Sequence, residues 1–417
     1  MKSPRLHRLA QFAWRTGKWT LFRCRIRLSL LFNSGISRLA IDKTLLVSPE
    51  KIVFCSLRDF YIEDFMGTVL GGDWDLLEKR FEDSDVYIAF KEVFLEKKEW
   101  EETAFYRGIL DELNKGIVPW GCKNENDFQE RCKDVERLFD TIKKEGYKSQ
   151  LTLSRSAESA VSGTIYDEVA ISIGRHGDML FSDGRHRLAI AKLLGLEKIP
   201  VRVAVRHKEW MVFVNELLQY ARSSGMGGKL YQPATHPDLK DIPALHNCES
   251  RFLMIRKAVS TNKGRVLDIG ANLGYFCHRF EEEGFDCCAV EESARELYYL
   301  RKLRRAENRK FKIIASSIFD WSQCGEIYFD VVLALNVFHH ALKTKENYER
   351  LVSLLRNLQM GELFFETADE DDPQMIGAHK NYSQSEFVDF IMRVSMLKHA
   401  EIIGTASDGR TLYRFFN

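Results

Sequence analysis

The sequence lacks any apolar run that could cross a bilayer. Its longest, such as LSLLF and FDVVLAL, fall far short of the roughly 18 uncharged apolar residues a membrane-crossing helix needs. Proline is scarce, at eight residues in 417, which excludes long proline-rich linkers. Internal repeats and low-complexity tracts are missing. Cysteine is present but without pattern: nine residues, an odd number, with no Cys-x-x-Cys spacing. Cys287 and Cys288 are adjacent in a predicted strand and so point to opposite faces. These features read as a reducing compartment with free thiols, no zinc site and no other metal. Apolar residues at 45% and charged residues at 29% exclude wholesale disorder. The length predicts about two to four domains.

Acidic residues are missing from the first 41 positions. That stretch carries Lys2, Arg5, Arg8, Arg15, Lys18, Arg23, Arg25, Arg27 and Arg38, nine of the 61 basic residues. The remaining 52 face 60 acidic ones. Trp14, Trp19, Leu21, Phe22, Leu30 and Phe32 are among the apolar residues interspersed with the charges. A basic helix of this kind suits an anionic membrane interface. The same pattern fits packing on the protein's own acidic remainder, and nucleic acid is the least favoured partner. It does not fit a signal peptide, because arginines interrupt the apolar stretch and no small-residue cleavage site follows. The expected location is cytoplasmic, with peripheral contact at the inner membrane face through residues 1–41.

The expected fold class is α/β, in five segments. Residues 1–43 form the basic arm, and 44–150 an α/β N-terminal domain of unassigned role. Residues 151–222 form a second α/β unit, 223–244 a linker rich in Gly, Ser and Pro, and 245–417 a C-terminal domain. In the N-terminal domain Phe128, Cys132, Val135, Phe139 and Ile142 recur at helical spacing, and Gly146 supplies a stop. Trp74, Trp100 and Trp120 read as core anchors, and Asp73 and Asp75 as turn formers.

In the second unit a strand EVAISI, a turn GRHGD and a strand MLFS lead to Asp183-Gly184-Arg185-His186-Arg187 at the start of a helix. Asp183 is placed to cap that helix, and Gly184 to admit a ligand to the backbone. The positive helix end, with Arg185, His186 and Arg187, then makes a phosphate cradle. An ordinary capped helix with salt-bridged basic residues is the alternative. The segment FSDGRHRLAIAKLLGLEKIPVRV resembles the second box of the ParB/sulfiredoxin fold over about 40 residues. That resemblance implies nucleotide binding at Gly184, His186 and Arg187, with ATP, ADP or CTP as ligand. Arg185 stands where sulfiredoxin carries its reactive cysteine, and no helix-turn-helix follows, so neither sulfiredoxin chemistry nor DNA partition is implied.

The most specific motif is GRVLDIGANLGYF, residues 264–276. A buried strand ends at a Gly270-to-Gly274 turn into a helix, and a second strand ends in Glu291, an acid placed to grip two ribose hydroxyls. The Gly-x-Gly-x-x-Gly of NAD and FAD sites is absent. The pattern resembles motif I of class I S-adenosylmethionine-dependent methyltransferases, whose later strands match KIIASSIFDW, FDVVLALNVFHH, GELFFET and AEIIGTASDGRTLYRFF in order. The resemblance implies a Rossmann-like, seven-stranded domain. It places Asp268, Gly270, Asn272 and Gly274 around the methionine part of the cofactor and Glu291 on the ribose. Ser317 or Asp320 would contact the adenine, and Asn336 would lie beside the reactive methyl.

His340 and His339 are the candidate bases for an oxygen acceptor. Arg251 is a candidate for the cofactor carboxylate, for an anionic substrate, or for a surface salt bridge. The motif of base-amino methylating enzymes is absent. The expected activity is S-adenosylmethionine-dependent methyl transfer to a hydroxyl or phosphate of a glycan, glycolipid or small metabolite, with a second phosphotransferase activity in the ParB-like unit. A nucleotide-sensing binding module and a nucleic-acid methyltransferase are the alternatives.

Overall fold

The computed structural model describes residues 44–57, 67–148, 168–223, 225–321, 327–368 and 370–417. The basic arm and the expectations placed on it lie outside these residues. The chain divides into two compact units, Met1–Asn215 and Glu216–Asn417.

The first unit is built on strands β1 (Thr44–Val47), β2 (Phe54–Cys55), β3 (Thr68–Leu70), β4 (Val169–Ile173), β5 (Met179–Asp183) and β6 (Ile199–His207). Their order is β1-β6-β4-β5-β2, with β3 also pairing β6. The β4–β5 hairpin and the helix Arg185–Leu193 form where the sequence predicts them. The expected boundary at residue 150 is corrected. β1 pairs with β6 and β2 with β5, so strands on both sides of that boundary share one sheet. Local periodicity reports which face of a strand is buried but not its distant partner.

Between β3 and β4 the helix Glu125–Glu145 buries Phe128, Cys132, Val135, Phe139 and Ile142 on one stripe and ends at Gly146, φ 78°. Asp75 is buried and accepts from the Arg175 guanidinium and from the Arg175 N–H, while Asp73 takes the same guanidinium at 2.7 Å. These two carboxylates therefore tie the Gly71–Asp75 turn to the β4–β5 turn.

The helix Lys208–Ser223 runs across the division into the second unit. There β7 (Arg265–Ile269), β8 (Asp286–Glu291), β9 (Lys312–Ala315), β10 (Phe329–Leu335) and β11 (Met360–Glu366) are parallel. The hairpin β12 (His399–Thr405) and β13 (Thr411–Phe416) joins antiparallel to β11, giving the order β12-β13-β11-β10-β7-β8-β9. Successive residues of the central strands enter different cores. Val331 and Leu333 pack on one face with Val266 and Phe364, and Val332 and Ala334 on the other with Leu267 and Phe365. Burial on both faces is what a parallel sheet with crossover helices requires. Cys287 and Cys288 divide between the same two cores.

The expected linker at 223–244 is also corrected. Leu230 is fully buried and bridges to Ala244, and Gln232 Oε1 accepts from the Tyr275 N–H at 3.2 Å. Gly225, Gly227 and Gly228 supply left-handed turns in open space, and the residues after them form a covering strap. Among the described residues no helix is long and apolar enough to cross a membrane.

Candidate functional site

Strand order reverses at β7: the chain leaves it toward β8 and β9 on one side and returns to β10 and β11 on the other. Ligands of open α/β sheets bind beyond the carboxyl ends of the strands at such a point. Here the tips of β7, β8 and β10 surround a cavity of about 740 Å³, within the roughly 300–1,000 Å³ common for ligand sites.

The turn after β7 shapes its floor. The N–H groups of Gly270 and Ala271 both donate to the Val290 carbonyl, folding the turn over β8. Gly270 has φ 73°, and a Cβ there would stand 2.4 Å from Val337 Cγ1. Any other residue meets both strain and a clash. Glu291 lies on the cavity wall, only 8% exposed. Its Oε2 accepts from the Asn272 N–H at 2.8 Å and its Oε1 from the Ser293 N–H at 2.9 Å. Burial raises its pKa, and these backbone amides oppose the rise. Each oxygen keeps a lone pair for a ligand hydroxyl.

Gly270, Asn272, Glu291, Ser317, Asp320, Asn336 and His340 line this one cavity. Asp268 and Gly274 do not. Asp268 is buried behind the turn, with Cys277 Sγ 3.9 Å from its Oδ2, and burial together with Glu291 pushes its pKa up to about 7. The side-chain direction at Gly274 is filled by Leu300. These two shape the turn from below. Asp320 is ion-paired with Arg350, another wall residue.

The two histidines separate. His339 turns into the protein, 4% exposed, and burial followed by the charges of His340 and Lys343 holds its pKa down to about 3. It is not on the cavity wall, which corrects its candidacy as a base. His340 stays on the wall, with Nδ1 3.0 Å from Lys343 Nζ. A lysine ammonium only donates, so Nδ1 is the acceptor and the neutral ring carries its proton on Nε2. Desolvation and Lys343 both lower the His340 pKa. In this arrangement the neutral ring offers a donor, Nε2–H.

Arg251 does not line the cavity and is shielded from solvent. It is buried against Glu366, with Nε at 2.7 Å and Nη2 at 3.0 Å, and against Asp408 at 2.6 Å. Glu366 in turn accepts from Asn336 Nδ2 at 2.8 Å. Sequence reasoning missed Glu366, and with it the wall residues Tyr231, Gln232, Glu292, Glu296 and Arg350. Only Glu366 had a signal, an acid directly after the apolar run Leu363, Phe364 and Phe365.

In the first unit the Gly184 turn departs from the expected cradle. Asp183 ends β5 and accepts from the adjacent Gly184 N–H, and the residue at the cap position is Gly184 itself. Gly184 has φ 83°, and a Cβ there would stand 2.9 Å from the Val169 Cα, so the β4 backbone lies where a side chain at this position would stand. Arg187 is buried; it donates to Tyr147 Oη and the Lys148 carbonyl and lies 4.5 Å over the Tyr147 ring. His186 packs between Phe90 and Trp120, and burial with Arg131 and Arg185 lowers its pKa to about 4. Arg185 alone of the three basic side chains is exposed. Among the described residues no group of three or more His, Cys, Asp or Glu could hold a metal ion.

Residues 206–406, just under half of the chain, match the family model of a methyltransferase domain. The match begins upstream of the expected boundary at 245. No curated protein matches the chain. Among solved structures, the bifunctional kinase-methyltransferase WbdD is similar at 18% identity over 48% of this chain and 46% of that one, TM-score 0.38. The chain thus spans about half the length of WbdD. The N-methyltransferase NodS from Bradyrhizobium japonicum WM9 is 17% identical over 40% of this chain and 95% of that one, TM-score 0.33. PH0226 from Pyrococcus horikoshii OT3 is 15% identical over 40% and 90%, TM-score 0.33.

Proposed function

We propose that the cavity of the second unit binds S-adenosylmethionine and that the unit transfers its methyl group to an oxygen of a phosphate-bearing glycan, glycolipid or small metabolite. The observation that carries this is Glu291, a carboxylate oriented by two backbone amides at a strand tip inside the cavity. Two ribose hydroxyls match its remaining lone pairs. The wall also carries Glu292, Glu296 and Asp320 against one arginine, Arg350. That excess of acid suits a ligand with a sulfonium and an ammonium. When bound, the sulfonium supplies an activated methyl group. The protein's task is then alignment and exclusion of water.

His340 and Lys343 support a phosphate oxygen as the acceptor. A neutral hydroxyl needs a base, and His340 presents a donor. A phosphate oxygen is already ionised, needs no base, and suits an Nε2–H beside an ammonium. The basic arm, residues 1–41, would hold the protein to an anionic lipid surface where such an acceptor is lipid-linked. For a nucleotide or phosphotransferase role the Gly184 turn offers Arg185 as its one exposed basic side chain.

Calorimetry with S-adenosylmethionine tests the first half; absence of binding to the wild-type protein removes the reading. Labelled methyl donor offered to phosphorylated and dephosphorylated forms of one glycan tests the second. Transfer only to the phosphorylated form is expected, and transfer to both would replace phosphate by hydroxyl.

A further inference from the structure

Asn336 stands on the cavity wall at the tip of β10, in the left-handed conformation at φ 58°. Asparagine tolerates this region better than most residues. Two bonds tie it to one neighbour. Its backbone N–H donates to the Glu366 carbonyl at 2.9 Å, and its Nδ2 donates to Glu366 Oε1 at 2.8 Å. Glu366 is fully buried and gripped by Arg251 through two nitrogens, and Arg251 is braced by Asp408. Both Glu366 oxygens accept from Arg251 nitrogens, so the group meets Asn336 as an acceptor. It therefore decides which way the Asn336 amide faces: the NH₂ goes to Glu366, and the carbonyl oxygen is what remains. That oxygen is buried and has no hydrogen-bond partner.

The pair is costly for mere stability. A buried ion pair is often no better than apolar residues of the same volume. Here it lies beneath the one wall residue whose amide it orients.

We propose that Arg251 and Glu366 are positioning residues for Asn336, fixing its amide so that its carbonyl oxygen meets a hydrogen-bond donor of bound S-adenosylmethionine. The proposal rests on the methyl-donor reading of the cavity.

Removing either partner alone would strand a buried charge, so the test uses neutral pairs in the full chain. Arg251→Met with Glu366→Gln keeps an oxygen that can accept from Asn336 Nδ2. Arg251→Met with Glu366→Leu keeps the volume and removes that oxygen. The Gln pair should bind S-adenosylmethionine within about twofold of wild type, and the Leu pair at least tenfold more weakly, with both matching in circular dichroism. Equal affinities for the two pairs would overturn the proposal. Should the Leu pair not fold, the wild-type protein decides. The Asn336 side-chain NH₂ protons, observed by NMR with and without S-adenosylmethionine, should be protected from exchange in both states. Rapid exchange in the free protein would overturn the proposal. Failure of the wild type to bind S-adenosylmethionine would remove the methyl-donor reading, whereas amide protection scores the orientation of Asn336 separately.

Discussion

The Gly184 turn and the Gly270-to-Gly274 turn have nearly the same local form. Each follows a strand, and each opens a helix at a left-handed glycine that no side chain caps, Gly184 at φ 83° and Gly274 at φ 80°. From the sequence both read as anion or nucleotide cradles. The structure separates them by what lies in front. Beside Gly270 three strand tips leave a cavity with a fixed carboxylate on its wall. Beside Gly184 the β4 backbone fills the side-chain direction, Arg187 is engaged by Tyr147, and His186 packs against Phe90 and Trp120. A glycine at a helix start thus reports backbone geometry. Ligand binding needs a second, non-local fact, the topological crevice.

The comparison breaks most sharply under substitution of its glycines. Gly270→Val should abolish S-adenosylmethionine binding by calorimetry, since the side chain meets Val337 in a strained backbone. Gly184→Ala should instead lower the melting temperature, because the new methyl meets the backbone of Val169. Retained binding in Gly270→Val, or an unchanged melting temperature in Gly184→Ala, would undo the contrast.

A second difference is in pH. Asp268 has an ordinary pKa of 3.8 and one of about 7 in the folded protein. Below about pH 4 it is protonated in both states. As pH rises to about 7, the unfolded chain ionises first, so Asp268 lowers stability by on the order of 4 kcal/mol across that window and no further above it. Urea denaturation at pH 5 and pH 7.5, which spans part of that window, should show a loss of about 2.5 kcal/mol in wild type and much less in Asp268→Asn.

Smaller effects sharpen the picture. Arg187→Ala should cost about 1.5–3 kcal/mol of stability, the scale of hydrogen bonds to a charged group, as measured by denaturation. If it instead removed binding of ATP, ADP or CTP without destabilising the fold, the Gly184 turn would be a ligand site after all. Glu291→Ala should weaken S-adenosylmethionine by about 1–3 kcal/mol in a titration. The smallest change is expected from Lys343→Ala. Removing a neighbouring positive charge should raise the His340 pKa toward its ordinary value, a shift NMR titration would follow.

Much of the second unit was legible because its information is local. The motif strand, the glycines of its turn, the acid at the end of β8 and the apolar run in FDVVLAL each lie within a few residues. The helix of Phe128 to Ile142 was legible for the same reason. What stayed hidden depends on distant partners. Nothing near Leu45 or Phe54 shows that they belong beside β6 and β5. Nothing near His339 distinguishes it from His340, although one rotation along the helix turn buries the first and leaves the second on the wall. Arg251 looked available because its two carboxylate partners lie more than a hundred positions later in the chain.

Residues 225–244 add a matter of timing. They cover the start of the helix Tyr275–Glu282 through Gln232 and supply Tyr231 to the cavity wall. Yet they precede every strand of their sheet in the chain. During synthesis from the N-terminus they emerge with nothing to rest on, at a pace of roughly 5–20 residues per second. The wall must wait for β7 and for the helix that follows it. The site therefore closes late in folding, and a polypeptide started at residue 245 would fold around an open side.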